Sequence, residues 1–229
     1  MGVQYRLKGG KPPQAVHFAI NFKRRTSIIF IPENYLSLCR MNVLSEKVQV
    51  VFDTTLRLIA EHGLHNTPMS IVSKQSGIST GAIYHYFESK ETLINELYLY
   101  VKEEIMNKVF EDMSADSQYK KNYFLIWNNY FEYLINNPTV LSFVEQCSIA
   151  PIIKEETRKK AEQFIAPLIQ FITKGTQNGI LRDTDINLIL AYLNGSVVTT
   201  AKLHISKQLI INNQMKEMAI DTSWRGLAN

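Results

Sequence analysis

Between Ser79 and Leu93 the chain reads STGAIYHYFESKETL, and the first half of this run carries groups suited to gripping a nucleic acid. The short helix expected from Thr80 opens on Gly81 and Ala82, small enough to let a backbone approach a phosphate. Free N–H groups at the start of a helix bind anionic oxygens, and a helix of ordinary width enters the major groove. Competing chemistries lack their residues. There is no G-x-S-x-G elbow, no complete phosphate loop around Gly9-Gly10-Lys11 and no H-E-x-x-H zinc helix. His62 and His65 flank a glycine at a helix end, where an imidazole serves terminal carbonyls, and Asp183 and Asp185 fall in a turn where a carboxylate caps a helix. No catalytic set, metal site or cofactor is expected.

Positioning these groups requires two short helices and a tight corner. Thr67 followed by Pro68 predicts a helix start, with the threonine hydroxyl accepting a free N–H and proline losing no hydrogen bond at the first position. The helix should run from Pro68 to about Ser76, with Ile71, Val72 and Gln75 toward a core. Gly77 can adopt the left-handed conformation that ends it, Ile78 fills the corner, and Ser79 caps a second helix over Thr80–Tyr86. Ser89 then caps a long helix bearing Leu93, Leu97, Val101, Ile105 and Val109.

Residues 45 to about 100 resemble the DNA-binding domain of the TetR family of bacterial transcriptional repressors. The resemblance is carried by a leading helix ending at Gly63, by Thr67, Gly77, Ile78 and Ser79, and by Gly81, Tyr84, Tyr86, Phe87, Ser89, Lys90, Glu91 and Leu93. That spaced set is far more specific than a helical pair with glycine at its turn. It implies that Thr80, Gly81, Ala82, Tyr84 and His85 face the groove or its walls, with Tyr84 and His85 the foremost contacts. Thr67, Tyr86 and Lys90 would hold the DNA backbone. Ser79 and Ser70 complete the implied surface; at Met69 or Ser70 some relatives place an arginine, so the bidentate guanine contact is missing here. For Phe87, core packing is the better reading.

The composition permits this. With 229 residues and 45% hydrophobic content the chain can bury a substantial core and is long enough for one or two domains. No continuous apolar run approaches the length of a membrane span, and Cys39 and Cys147 form neither a metal spacing nor a disulfide framework, which suits a reducing cytoplasm. Net charge is a poor guide. Of the overall +4, residues 1–40 carry +6, from Arg6, Lys8, Lys11, Lys23, Arg24, Arg25 and Arg40 against Glu33, leaving −2 for the remainder. Attraction to DNA must therefore arise locally, from Arg57, Lys74, Lys90 and helix N-termini. Residues 1–40, with Gly9-Gly10, Pro12-Pro13 and a single β-type run at Ser27–Ile31, read as a poorly structured leader. Met41 opens a typical beginning for such a chain, so translation is expected to start there; a basic arm on the DNA is the other reading of the leader.

From Ser45 onward nearly every segment has helical period and none reads as a sheet, so the fold class is all-α. The first helix carries Val48, Val51, Phe52, Thr55, Leu56 and Ile59, and an aromatic helix carries Tyr119, Tyr123, Trp127, Phe131 and Leu134 up to Asn136, Asn137 and Pro138. Further helices are expected over 139–148, 154–178, 185–205 and 208–225, with Pro167 kinking or splitting the second of these. The family resemblance implies a three-helix DNA-binding domain over 41–90 and a larger ligand-binding and dimerisation domain over 91–229. It implies a homodimer on an inverted-repeat operator in double-stranded DNA, with half-sites about 34–36 Å apart, released by a small hydrophobic inducer. Phe110, Trp127, Tyr130, Phe131, Phe143, Cys147, Phe164, Phe171 and Tyr192 are the candidate pocket; Ala191, Gly195, Ser196, Met215, Met218 and Trp224 are the candidate dimer face. The alternative is a helical interaction protein that keeps the fold without sequence-specific DNA binding.

Overall fold

The computed structural model describes residues 18–22, 25–29, 46–114 and 117–229, and it divides into two compact units, Met1–Gln49 and Val50–Asn229. In the first lies an antiparallel hairpin, β1 (Phe18–Phe22) with β2 (Arg25–Ile29), in a register that pairs Phe18 with Ile29 and Phe22 with Arg25. The β-type run at Ser27–Ile31 overlaps β2, whose partner strand is Phe18–Phe22. Met41, the expected start, lies outside the described residues.

Beyond the hairpin the described elements are helices, with one isolated bridge between Leu181 and Ala228. Four helices, α1 (Glu46–His62), α2 (Met69–Ser76), α3 (Thr80–Tyr86) and α4 (Lys90–Val109), are followed by α5 (Tyr119–Asn136) and α6 (Pro138–Ser148). The remainder are α7 (Glu155–Phe164), α8 (Ala166–Gln177), α9 (Ile186–Ile205) and α10 (Asn213–Leu227). Most ends follow local rules. Ser89 accepts from Thr92 N, Asp185 from Asn187 N and Asn212 from Met215 N, each satisfying an otherwise orphaned N–H. Pro167 does split its segment, into α7 and α8. The last helix begins at Asn213 and not Gln208, because Asn212 caps it there and the preceding residues form a connection.

Thr67 departs from its expected role. Pro68 occupies the cap position of α2, and the Thr67 hydroxyl donates instead to Gly63 O at 2.9 Å. It belongs to a set of side chains that close the end of α1. Asn66 Nδ2 donates to His62 O, Thr67 to Gly63 O and Lys90 Nζ to Leu64 O, so the carbonyls assigned to His62 and His65 are served by other residues.

The core of the helical body is an aromatic and polar seam. Helix α5 packs against α4, α9 and α10, and α4 also packs against α6 and α7. A chain of hydrogen bonds crosses three helices: Tyr123 Oη to Ser223 Oγ (2.7 Å), Ser223 Oγ to Ser196 Oγ (3.0 Å), and Trp127 Nε1 donating to Ser196 Oγ (2.9 Å). These bonds explain how polar atoms lie inside an apolar bundle without an unsatisfied partner. Burial pushes the Tyr123 phenol up to about 12.

Gly175 of α8 faces Tyr119, whose ring stacks on Phe171 at 4.2 Å and whose hydroxyl donates to Phe171 O. A Cβ at Gly175 would overlap that ring. Gly175→Ala is therefore expected to cost about 1–3 kcal/mol through overpacking. Chemical denaturation checks this, and unchanged stability would show that Tyr119 moves aside freely.

Candidate nucleic-acid interface

Helices α2 and α3 meet at a corner whose geometry is locked by short side chains. Gly77 has φ +71° and its N–H bonds Ser73 O, so a residue with Cβ would be strained there. Ser73 Oγ donates to Ile78 O at 2.7 Å, and Ile78 N donates to Ser76 Oγ at 3.2 Å. Neither serine stood out in the sequence, although Ser-x-x-Ser before Gly77 is a local signal that could have been used. Ser79 caps α3 as expected, accepting from Ala82 N at 3.2 Å.

Two residues anchor α3 from below and leave the opposite arc free. Ile83 and Phe87, one turn apart, are fully buried, and the Phe87 ring lies 5.6 Å from that of Phe52 in α1. Thr80, Gly81, Tyr84 and His85 are exposed on the other side, Tyr84 at 47%, and Tyr86 stands beside them with its ring edge toward His85 at 5.5 Å. Ser70 and Lys74 are exposed on α2. Of that helix's apolar positions, Met69 and Val72 are buried and Ile71 is exposed, a rotation from the expected Ile71–Val72 face. The surface therefore presents hydroxyl, imidazole and phenol groups over a rigid base, with backbone at Gly81 accessible.

Two expected members turn inward. Thr67 is 1% exposed with its hydroxyl proton committed to Gly63 O, which removes its side chain from the surface. Lys90 holds Leu64 O at 2.6 Å and His65 O at 3.4 Å, and burial lowers its pKa. It acts first as a strut between the start of α4 and the α1–α2 connection, with one N–H direction left for a phosphate.

Helix α6 touches this assembly through one residue that sequence reasoning missed. Gln146 Oε1 accepts from Leu64 N at 3.0 Å, and its Nε2 donates to Ile59 O at 3.1 Å. A second tie runs through Asn95 of α4, which donates to Ile152 O and accepts from Lys154 N in the α6–α7 connection. Gln146 thus holds two backbone points at the end of α1 from α6, and Asn95 ties α4 to the α6–α7 connection.

The nine candidate pocket residues do not converge. Trp127 and Phe131 stack on each other within the α5–α9–α10 seam; Tyr130 donates to Asn194 Oδ1, and Phe171 is paired with Tyr119. Phe143, Cys147 and Phe164 are buried on α6 and α7, and Phe110, half-buried, ends α4. Burial pushes the Cys147 thiol up to about 12, which makes it a packing group and not a nucleophile. Tyr192 is 61% exposed on α9. A cleft of about 500 Å³ opens between α6 and the C-terminal half of α9, crossed by the Lys202–Glu145 ion pair at 2.8 Å, and none of the nine lines it.

The candidate dimer residues also divide. Ser196 belongs to the internal hydrogen-bond chain, and Trp224 is only 9% exposed, its ring 5.2 Å from Tyr123. Ser196 is half-buried and Trp224 buried within the protomer. Ala191, Met215 and Met218 are exposed and Gly195 partly so, and Leu188 and Tyr192 join them on the open side of α9.

Two family models match the chain: bacterial regulatory proteins of the tetR family over residues 51–97, and a tetracyclin repressor-like C-terminal domain over residues 118–228. The fatty acid metabolism regulator protein of Bacillus subtilis is 22% identical over 182 residues, which span 76% of this chain and 94% of that protein. A TetR family transcription regulator from Marinobacter aquaeolei superposes with a TM-score of 0.76 at 19% identity, covering 80% of this chain and 96% of its own. FadR from Bacillus subtilis, solved in complex with stearoyl-CoA, superposes with a TM-score of 0.63 at 21% identity, covering 78% and 98%. At such identities the structural likeness is one of fold.

Proposed function

Because the chain belongs to the TetR family of bacterial transcriptional regulators, we propose that it represses transcription from an inverted-repeat operator as a homodimer and is released by a small apolar ligand. It is a DNA-binding regulator, and its family is not one of enzymes. A chromosomal operator requires a cytoplasmic protein. The observation that carries the reading is the exposed arc of Thr80, Gly81, Tyr84 and His85 over the buried Ile83–Phe87 anchor, presented by a corner that Gly77 closes.

Dimerisation is supported by an imbalance on α9. This helix has 20 residues and a mean hydropathy of 1.2, long and apolar enough by composition to cross a membrane, yet only 22% of that window is buried within the protomer. It packs on α5, α8 and α10, and Leu188 and Tyr192 on its open side are exposed, as are Met215 and Met218 of α10. A second copy related by a two-fold axis would cover that side and set two α3 helices into successive major grooves. For the apolar ligand, long-chain acyl compounds are the first class to try, given the relatives named for fatty acid metabolism and for a stearoyl-CoA complex.

The test is a titration of the protein against the DNA flanking its own gene, at two salt concentrations and with competitor DNA. Tight binding that survives competitor and protects an inverted repeat is the expected result. Weak binding abolished by salt would instead indicate a helical interaction protein that keeps the fold without reading sequence. Within that assay Tyr84→Ala should weaken operator binding by about 1–3 kcal/mol with no change in folding, the range for a specific groove contact. Equal affinities would take Tyr84 out of the interface.

A further inference from the structure

Helix α1 ends at Gly63, whose φ of +82° turns the chain out of the helix and whose N–H returns to Ile59 O at 2.9 Å. In the Schellman form of a glycine cap, the N–H of the following residue closes on the carbonyl five residues back, here Leu64 N–H on Ile59 O. Instead the carboxamide of Gln146, on α6, stands between the two. Its Oε1 accepts from Leu64 N at 3.0 Å and its Nε2 donates to Ile59 O at 3.1 Å. Nε2 also donates to Ser142 Oγ at 3.2 Å, one turn back on α6. The partners fix which way the amide points, since a backbone N–H only donates and a carbonyl only accepts. A donor and an acceptor that could bond to each other are thus bridged by a side chain 82 residues away from Leu64.

Leu64 is held from its other side as well. Its carbonyl accepts from Lys90 Nζ, at the start of α4, at 2.6 Å. The residue is buried and leads into the short connection to α2. Apolar contacts such as that of Phe52 on α1 with Tyr100 on α4, ring centres 5.3 Å apart, resist separation but not sliding, because burial has no preferred direction. A carboxamide bonded at fixed angles to two backbone groups resists both.

We infer that Gln146 is a positioning residue for DNA reading: its inserted carboxamide fastens the end of α1 to α6, fixes how the helix-turn-helix sits on the helical body, and so sets the separation of the two α3 helices in a dimer. The spacing role rests on the operator-binding homodimer proposed above, whereas the tie itself lies within one protomer. With an apolar side chain at this position, Leu64 N–H and Ile59 O can close on each other, so α1 keeps a satisfied end while its register on α6 is lost. A residue that merely stabilised the fold would lower stability and DNA binding together.

The experiment compares wild type, Gln146→Met and Gln146→Glu in the full chain by two measurements. Operator titration uses the sequence protected in the flanking DNA and two versions of it with one base pair inserted or removed at the dyad. Wild type should lose about tenfold or more in affinity on either altered spacing, and Gln146→Met about threefold or less, because readers free to shift still engage both half-sites. Gln146→Glu keeps an acceptor for Leu64 N–H but sets a carboxylate against Ile59 O, so it should fall between them. Hydrogen exchange without DNA reads the tie directly: amides of α2 and α3 should exchange about tenfold faster in Gln146→Met, with the slowest amides of α5 unchanged. A spacing penalty as large in Gln146→Met as in wild type, or unaltered exchange in α2 and α3, overturns the assignment. So does equal acceleration in α5, which would make Gln146 a general stabilising residue. Wild-type protein that binds no operator removes the regulator reading instead, and exchange alone then decides for or against the tie.

Discussion

Phe87→Ala is expected to lower stability by about 3–5 kcal/mol, the range for truncating a buried aromatic, and to abolish specific DNA binding with it. Phe87 is 1% exposed, its N–H bonds Ile83 O, and its ring lies beside Phe52, itself completely buried in α1. Removing the ring leaves a cavity under the last turn of α3, the element that must hold Tyr84 and His85 rigid. Two transfer terms are lost at once, the Phe87 face and the Phe52 face it covers. The control is the adjacent Tyr86→Ala. Tyr86 is 41% exposed, so its truncation should change stability by less than about 1 kcal/mol. Urea unfolding of the two variants checks the contrast, and similar losses from both would place Phe87 outside the anchor.

The second large effect concerns the open side of α9 and α10. Met218→Glu should convert the proposed dimer to a monomer and reduce operator affinity by about 10²–10⁴-fold, because each half-site then binds without the effective concentration that its partner provides. Met218 is 64% exposed in the protomer, so a carboxylate there costs the isolated fold little, whereas against a two-fold partner it meets both apolar surface and its own symmetry mate. Sedimentation reports the oligomeric state, and a variant that stays dimeric with full affinity would move the interface elsewhere. Trp224, which sequence alone suggested for this face, behaves differently. Packed on Tyr123 and capped by the Lys120 ammonium at 5.8 Å, it should unfold the protomer when truncated and not merely separate a pair.

Local chemistry was legible along the chain. Gly77 in its left-handed conformation, Ser79 and Ser89 as caps, Pro167 as a break and the alternation of helices all follow from interactions within about five residues. The same holds for the exposure of Tyr84 and His85 opposite Ile83 and Phe87, since a seven-residue helix with two large apolar groups one turn apart has only one face to bury.

What the sequence by itself determined, then, is the set of helices, their caps and the family pattern of the helix-turn-helix. The tertiary structure alone decided which polar and aromatic side chains point inward. Ser196 meets Trp127 across 69 residues and Ser223 meets Tyr123 across 100, pairings between distant segments that no local periodicity announces. Thr67 and Lys90 look like phosphate ligands until the end of α1 arrives with three carbonyls to satisfy. Gln146 and Asn95 carry no motif at all. Their significance comes from burial and from the partners they meet, quantities set by how α4, α6 and α7 pack and not by the identity of any neighbour in sequence.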